Sequence, residues 1–492
     1  MKILFQSEQL RALAHDHYTS AQLEVLSNFL EPILHIDVTP NGLVKAADRF
    51  QANDPTHYDA IWVRDSVWAY LAMRSERGRE KTATQIMKIL LRYFSSPKQL
   101  NRLRNAIQEP SLLGDPMNAV HVRFDGSSPE MDDVYVSGKP QYWNHKQNDA
   151  LGLFYQFILQ ELASGRIPLS ELTDPEAEFL MRLPTYFARI RFFDMEDAGC
   201  WEEIERINSS SVGLVTSSLE FLLKRMQEPK LQWHSFFLKK SRALGLGSTL
   251  GLGSTLGLDS TFEPVLSSLS ALVESGYKRL MRQSLQGESP DYPKTSPRYR
   301  ESDAALLNLL FPCTLERFDR EHKERIIALV EPLMGQIGIK RYSGDSYQAA
   351  NYWLGHEEDV SVLTSDYSQE ERFQLRSERM IPGTEAQWFF DSWLSKAYGI
   401  LYQDYYEPGL LEKQTLHFNR ALAQITGGTT AEPVLGADGK PVPPLAVPES
   451  YNIVIEDGKR RFAPSPITPL NWARASLRLA LTQLKESLKR SP

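Results

Sequence analysis

The stretch Ala198-Gly199-Cys200-Trp201-Glu202-Glu203-Ile204, followed by Asn208-Ser209-Ser210-Ser211-Val212-Gly213, carries residue types suited to acid catalysis on a sugar. A tryptophan leads into two adjacent carboxylates. Small hydroxyl residues then open an apolar run from Leu214 to Leu223. This pattern presents an acid at the mouth of a helix beside an aromatic platform. An aromatic face stacks on a sugar ring, and a carboxyl held near apolar surface keeps its proton toward neutral pH. Partial desolvation is therefore expected to keep Glu202 protonated.

Four other segments carry compatible parts. Trp62-Val63-Arg64-Asp65 stands before a helix expected from Ser66. Arg64 and Asp65 read either as a helix cap with a surface charge or as a grip on sugar hydroxyls. Trp143-Asn144-His145-Lys146-Gln147-Asn148-Asp149 is a second aromatic and polar loop that opens a helix. Lys340-Arg341-Tyr342-Ser343-Gly344-Asp345-Ser346-Tyr347 is another, and Val447-Pro448-Glu449-Ser450-Tyr451 lies in a proline-rich stretch. Glu449, in an open polar loop, is expected to be ionised and suited to general-base work.

Helices must position these loops. Leu151, Phe154, Tyr155, Ile158, Leu159 and Leu162 share one helical face, as do Leu470, Ala473, Leu477, Ala480, Leu481, Leu484 and Leu488. Comparable periodicity marks 8–34, 66–75, 82–95, 170–192, 211–226, 303–312, 321–334, 386–403 and 409–425. Strand alternation is scarce, which predicts an all-α fold. Residues 427–469 read as a long loop, of the kind that is usually functional. Residues 244–261 hold three copies of a hexapeptide, LGLGST, LGLGST and LGLDST. Three copies cannot stack into a β-helix, so 228–299 reads as a low-complexity insertion. The Gly245/Gly247 pair starts a GxGxxG but meets Leu250 at its last position, so no phosphate loop is read there.

The composition is that of a globular protein with a substantial core, at 42% hydrophobic and 24% charged over 492 residues. A net charge of -7 gives no basic footprint, which argues against nucleic acid as a partner. Two cysteines, Cys200 and Cys313, make no disulfide framework. The N-terminal apolar run is too short for a signal peptide, and no run spans a membrane, so a cytoplasmic protein without a membrane partner is expected.

Trp62-Val63-Arg64-Asp65 resembles the W-x-R-D motif of glucoamylase-type glycoside hydrolases. Trp143, Gln147 and Asp149 match their W-G-R-P-Q-x-D loop, although Asn144-His145-Lys146 replaces Gly-Arg-Pro. Trp201-Glu202-Glu203-Ile204 with Asn208-Ser209-Ser210 is similar to L-W-E-E-V-x-G-S-S, and Arg341 to Tyr347 to R-Y-x-x-D-x-Y. Glu449 occupies the place of the late catalytic glutamate without the E-Q-F form, and Trp472 that of a later helical tryptophan. The likeness is closer still to the glucoamylase-like part of phosphorylase kinase α and β subunits. It includes Asn208 to Gly213, Ser302-Asp303-Ala304-Ala305-Leu306-Leu307, Glu385 to Phe390 and Val447 to Tyr451. The motifs keep one order over about residues 40–485.

The resemblance implies a single (α/α)6 barrel over 1–492, with 228–299 inserted in it. It implies an intracellular inverting hydrolase of α-glucosidic bonds in glucans or oligosaccharides, with no cofactor and no metal. Glu202 would be the general acid and Glu449 the general base, with Glu385 as reserve or merely a helix-start carboxylate. Inversion asks for carboxyls about 6.5–9.5 Å apart. Arg64, Asp65 and Arg341 would bind the innermost sugar, Trp143 and Trp201 would stack, and Glu203 would be a further ligand. Trp62, Gln147, Asp149, Tyr342 and Asp345 complete the implied substrate site. The competing expectation is a non-catalytic glucan sensor of glycogen metabolism with a regulatory protein partner.

Overall fold

The computed structural model describes residues 2–48, 58–136, 138–228, 233–244, 262–350, 352 and 368–490. Helices α1 (Glu8–Leu13) and α2 (Ser20–Leu30) come first. Strand β1 (Ile61–Trp62) runs directly into α3 (Val63–Arg74), followed by α4 (Glu80–Phe94) and α5 (Pro97–Gln108). Strand β2 (Arg123–Phe124) pairs antiparallel with β1, and β3 (Tyr135–Val136) with β4 (Lys139–Pro140). Next come α6 (Asn148–Ala163), α7 (Asp174–Arg189), α8 (Ser209–Gln227), α9 (Trp233–Ala243), α10 (Phe262–Gln283), α11 (Arg320–Val330) and α12 (Glu370–Arg379). Strand β5 (Gln387–Trp388) precedes α13 (Asp391–Tyr405) and α14 (Pro408–Ala423). A hairpin of β6 (Ser450–Glu456) and β7 (Lys459–Pro464) joins β5 in a three-stranded sheet, and α15 (Asn471–Arg490) follows.

Packing closes into a ring. Helix α3 meets α6, α6 meets α8, α8 meets a 3-10 segment at Ala304–Leu309, that segment meets α13, α13 meets α15, and α15 returns to α3. Outside this ring, α4 backs α3, α10 backs α8, α11 backs the 3-10 segment, and α14 backs α13 and α15. Burial follows the sequence. Fourteen of sixteen residues of α6 are buried, against four of twelve in the peripheral α5, so α6 is covered all round. Gly152 lets α8 close on α6, since a Cβ there would stand 2.7 Å from the Val215 amide nitrogen. This is the (α/α)6 toroid. No helix among the described residues is long and apolar enough to cross a membrane.

Four sequence expectations change. The stretch 303–312 is a 3-10 turn rather than an α-helix: the Asp303 carboxylate caps Ala305, and Pro312 ends the segment. Helix α13 starts at Asp391 and not at 386, because Gln387 and Trp388 pair with β6. The supposed loop 427–469 contains the β6–β7 hairpin, turned by Asp457 and Gly458 at φ 50° and 72°. Such an Asp-Gly pair between apolar runs is a hairpin signal. Within 228–299, α10 packs on α8 and buries Leu269, Tyr277 and Leu280, so residues from 262 onward form part of the wall. The hexapeptide copies from residue 245 to 261 lie outside the described residues.

The inner elements present their N-terminal ends to one side. Arg64 and Asp65 fall in the first turn of α3, Asp149 in that of α6, and Trp472 in that of α15. Asp303 caps the 3-10 segment, and Glu202 and Glu203 precede α8. Helix N-termini carry partial positive charge, which favours carboxylates gathered there.

Candidate active site

At that end lies a cleft of about 690 Å³, including its open mouth. Trp62, Arg64, Asp65, Trp143, Trp201, Glu202, Glu203, Arg341 and Glu449 line it, as the sequence proposed. Gln147 and Asp149 stand behind Arg64, Tyr342 behind Glu203, and Asp345 behind Arg341. Glu385 does not line the cleft. It accepts from Lys340 Nζ and the Gly344 amide, both at 3.0 Å, and so holds the turn before Asp345. Burial opposes its charge, but those donors win and its pKa is lowered.

Backbone geometry aims Glu202. It adopts φ 59°, ψ 37°, left-handed and sparsely populated for a non-glycine residue. Three residues earlier Gly199 is also left-handed at φ 60°, where a Cβ would stand 2.7 Å from Asn208 Nδ2. Arg64 organises the floor. Its guanidinium donates to Asp149 Oδ2 at 2.8 Å, Glu202 Oε1 at 3.0 Å, Gln147 Oε1 at 2.8 Å and the Gly199 carbonyl at 3.3 Å. Burial pushes the Glu202 carboxyl up to about 7, with Arg64 opposing.

The tryptophans differ from simple stacking platforms. The Arg123 guanidinium lies 4.0 Å from the ring centre of Trp143, and Trp62 meets that indole edge-on at 5.1 Å. One face of Trp143 is thus covered by protein. Trp201 is tethered through Nε1 to Asp303 Oδ1 at 2.8 Å and packs beside Phe390.

Glu449 also lines the cleft; it precedes β6 and is only 3% exposed, not set in an open loop. Tyr58 donates to its Oε1 at 2.6 Å, and Gln348 and Ser465 donate to its Oε2 at 2.5 Å and 3.3 Å. Burial raises its pKa to about 7 against these donors, so burial limits the ionisation expected from the sequence. Arg341 grips Asp345 at 2.6 and 2.7 Å and Glu203 at 2.8 Å, and Tyr342 also donates to Glu203 at 2.7 Å. Tyr58 and Gln348 escaped the sequence reading. Tyr58 belongs to no motif, and Gln348 follows the last residue of one.

Several buried carboxyls here favour their protonated forms. Burial raises Asp65, Asp197, Glu202 and Glu449 to about 7. Unfolded carboxyls titrate near about 4. The native state therefore holds more protons between these values, and stability is lost as pH rises through about 7. Buried His121 and His145, both lowered chiefly by burial, act in the opposite sense below about pH 6.5. The urea midpoint of unfolding is accordingly expected to fall from pH 6.5 to 7.5. A rise across that window would contradict the assignment.

Among known proteins, the chain is 37% identical over 206 residues to an Escherichia coli protein described as uncharacterized lipoprotein YgeQ. The aligned part covers 40% of this chain and 78% of that protein. The chain belongs to the YgeQ family. This YgeQ-family chain is also 23% identical over 185 residues to the probable phosphorylase b kinase regulatory subunit alpha of Drosophila melanogaster, spanning 32% of the chain and 14% of that subunit. No protein-family model matches. Its fold is that of the glucoamylases. The Saccharomycopsis fibuligera glucoamylase superposes with a TM-score of 0.53 at 13% identity, covering 100% of this chain and 98% of that one. A glycosidase solved in complex with glucose gives 0.51 at 14% identity, covering 99% of both.

Proposed function

We propose that this chain is an inverting glycoside hydrolase acting on α-glucosidic bonds of glucans or oligosaccharides. One observation carries the reading: Glu202, partly exposed, and Glu449, buried, line a single aromatic cleft with Arg64, Asp65 and Arg341. The glucoamylase-type fold and the glucose-bound neighbour support a sugar as its occupant. Asp65 and Arg341 bind the hydroxyls of the innermost ring, and Trp201 and Trp472 border it. Glu202 gives its proton to the glycosidic oxygen as the bond from that oxygen to the anomeric carbon breaks. Glu449 takes a proton from water, whose oxygen bonds to the anomeric carbon from the opposite face. Arg64 keeps three other acceptors when Glu202 releases it to become protonated.

The Arg64–Glu202 ion pair also favours a second reading, a glucan-binding protein without hydrolysis, because a paired carboxylate is a poor acid. One assay separates the two. Released sugar is measured from maltose, maltooligosaccharides, isomaltose, trehalose and glycogen, with the anomer followed by proton NMR before mutarotation. Hydrolysis with β-glucose first is expected. An α-anomeric product would exclude inversion, and binding without turnover would select the second reading.

A further inference from the structure

Gln348 is fully buried, and its backbone is left-handed at φ 57°. That conformation is sparsely populated for a non-glycine residue and persists where surrounding structure enforces it. Here the enforcement is visible. Asn452 Nδ2 donates to the Gln348 carbonyl at 3.0 Å, and Ser450 Oγ donates to its Oε1 at 2.6 Å. Nε2 faces Glu449, where a carboxylate accepts and cannot donate, and it donates to Oε2 at 2.5 Å. A flipped amide would set an oxygen against a carboxylate and lose that bond. Ser450 directly follows Glu449 at the start of β6, so one turn of chain fixes the carboxyl and its partner together.

Each carboxylate oxygen accepts about two hydrogen bonds. Oε2 of Glu449 already receives two, from Gln348 and Ser465. Oε1 receives one among the described residues, from Tyr58, whose own oxygen lies 3.0 Å from the Tyr347 hydroxyl. We infer that Gln348 is the positioning residue of Glu449, saturating Oε2 and leaving Oε1 as the oxygen that takes the proton from water. The catalytic half of this inference rests on the hydrolytic reading above. The half that concerns Glu449 itself does not.

Gln348 donates to the ionised form of Glu449 and so favours it. Among the described residues, the other titratable groups facing this carboxyl are Tyr58, Tyr347, Arg341 and Asp65. Gln348→Met removes the donor at similar volume. Ser450→Ala leaves the amide in place but frees it to rotate. The test is the titration of Glu449 by carbon NMR in protein labelled at glutamate carboxyls, with the signal assigned by its loss in Glu449→Gln. The midpoint is expected to move up in pH in both variants, further in Gln348→Met. In parallel, the acid limb of kcat/KM is expected to move up, and kcat to fall roughly tenfold to a hundredfold with KM little changed, the scale of a misplaced catalytic group. An unmoved midpoint overturns the inference, and if Gln348→Met does not fold, Ser450→Ala decides it. A midpoint that moves in an active enzyme whose kinetic limb stays put overturns the catalytic role. Wild-type protein that turns over none of the α-glucosides, yet shows the shifted midpoint in the variants, overturns the hydrolytic reading and leaves Gln348 as the group that orients Glu449.

Discussion

Glu449→Gln and Glu202→Gln are each expected to lower turnover by at least about a hundredfold, the usual scale of losing a positioned base or acid. Both substitutions keep the side-chain volume. Glu449→Gln keeps acceptors for Tyr58 or Gln348 but removes the charge that draws a proton from water. Glu202→Gln keeps an oxygen for Arg64 and removes the proton that leaves with the glycosidic oxygen. Sugar affinity, measured by calorimetry with a maltooligosaccharide, is expected to survive, because Asp65, Arg341 and the tryptophans still line the cleft. The two variants also separate by rescue. A small anion such as azide is expected to restore turnover in Glu449→Ala, where truncation leaves room for it, and not in Glu449→Gln. An activated leaving group that needs no proton is expected to restore Glu202→Gln. Retained wild-type turnover in either variant would remove that residue from the mechanism.

The second large effect is on stability. Arg341→Leu is expected to destabilise the fold by about 3–5 kcal/mol, because it strands the buried Asp345 and takes one of three arginines from the buried Glu203. Arg341 is paired with Asp345 and Glu203, which are 0% and 1% exposed, and rings of Trp201, Tyr347 and Trp388 surround its guanidinium. The sign of the pH dependence follows. Burial already raises the Asp345 pKa, and losing Arg341 raises it further. A carboxyl raised in the folded state contributes stability at low pH that is lost as pH rises through its folded pKa. The deficit of Arg341→Leu relative to wild type is therefore expected to be smallest near pH 5 and largest near pH 8 in urea denaturation. A deficit independent of pH would show that lost packing, not stranded charge, is responsible.

The residues themselves announced most of the inner ring. Helix α6 was legible from Leu151 to Leu162 because its large apolar residues recur at helical spacing. The cleft was legible where chemistry needs adjacent side chains, as in Trp201-Glu202-Glu203 or Arg64-Asp65. The 3-10 turn at Ala304–Leu309 was not, since its apolar run has the same composition as a helix and only the Asp303 cap and Pro312 shorten it.

What the sequence determined by itself is the set of groups and the helices that begin beside them, because local spacing and end signals decide both. What only the tertiary structure decided is the environment of each group. Glu449 reads as a residue in an open proline-rich loop, yet the β6–β7 hairpin carries it into the interior. There it meets Tyr58 and Gln348, which lie 391 and 101 positions away along the chain. Trp143 reads as a free platform, yet Arg123 covers one face of it. Glu385 reads as a reserve base, yet Lys340 and Gly344 engage its oxygens outside the cleft. Burial and hydrogen bonding set the charge of a carboxyl, and both depend on neighbours that only the closed ring of helices brings together.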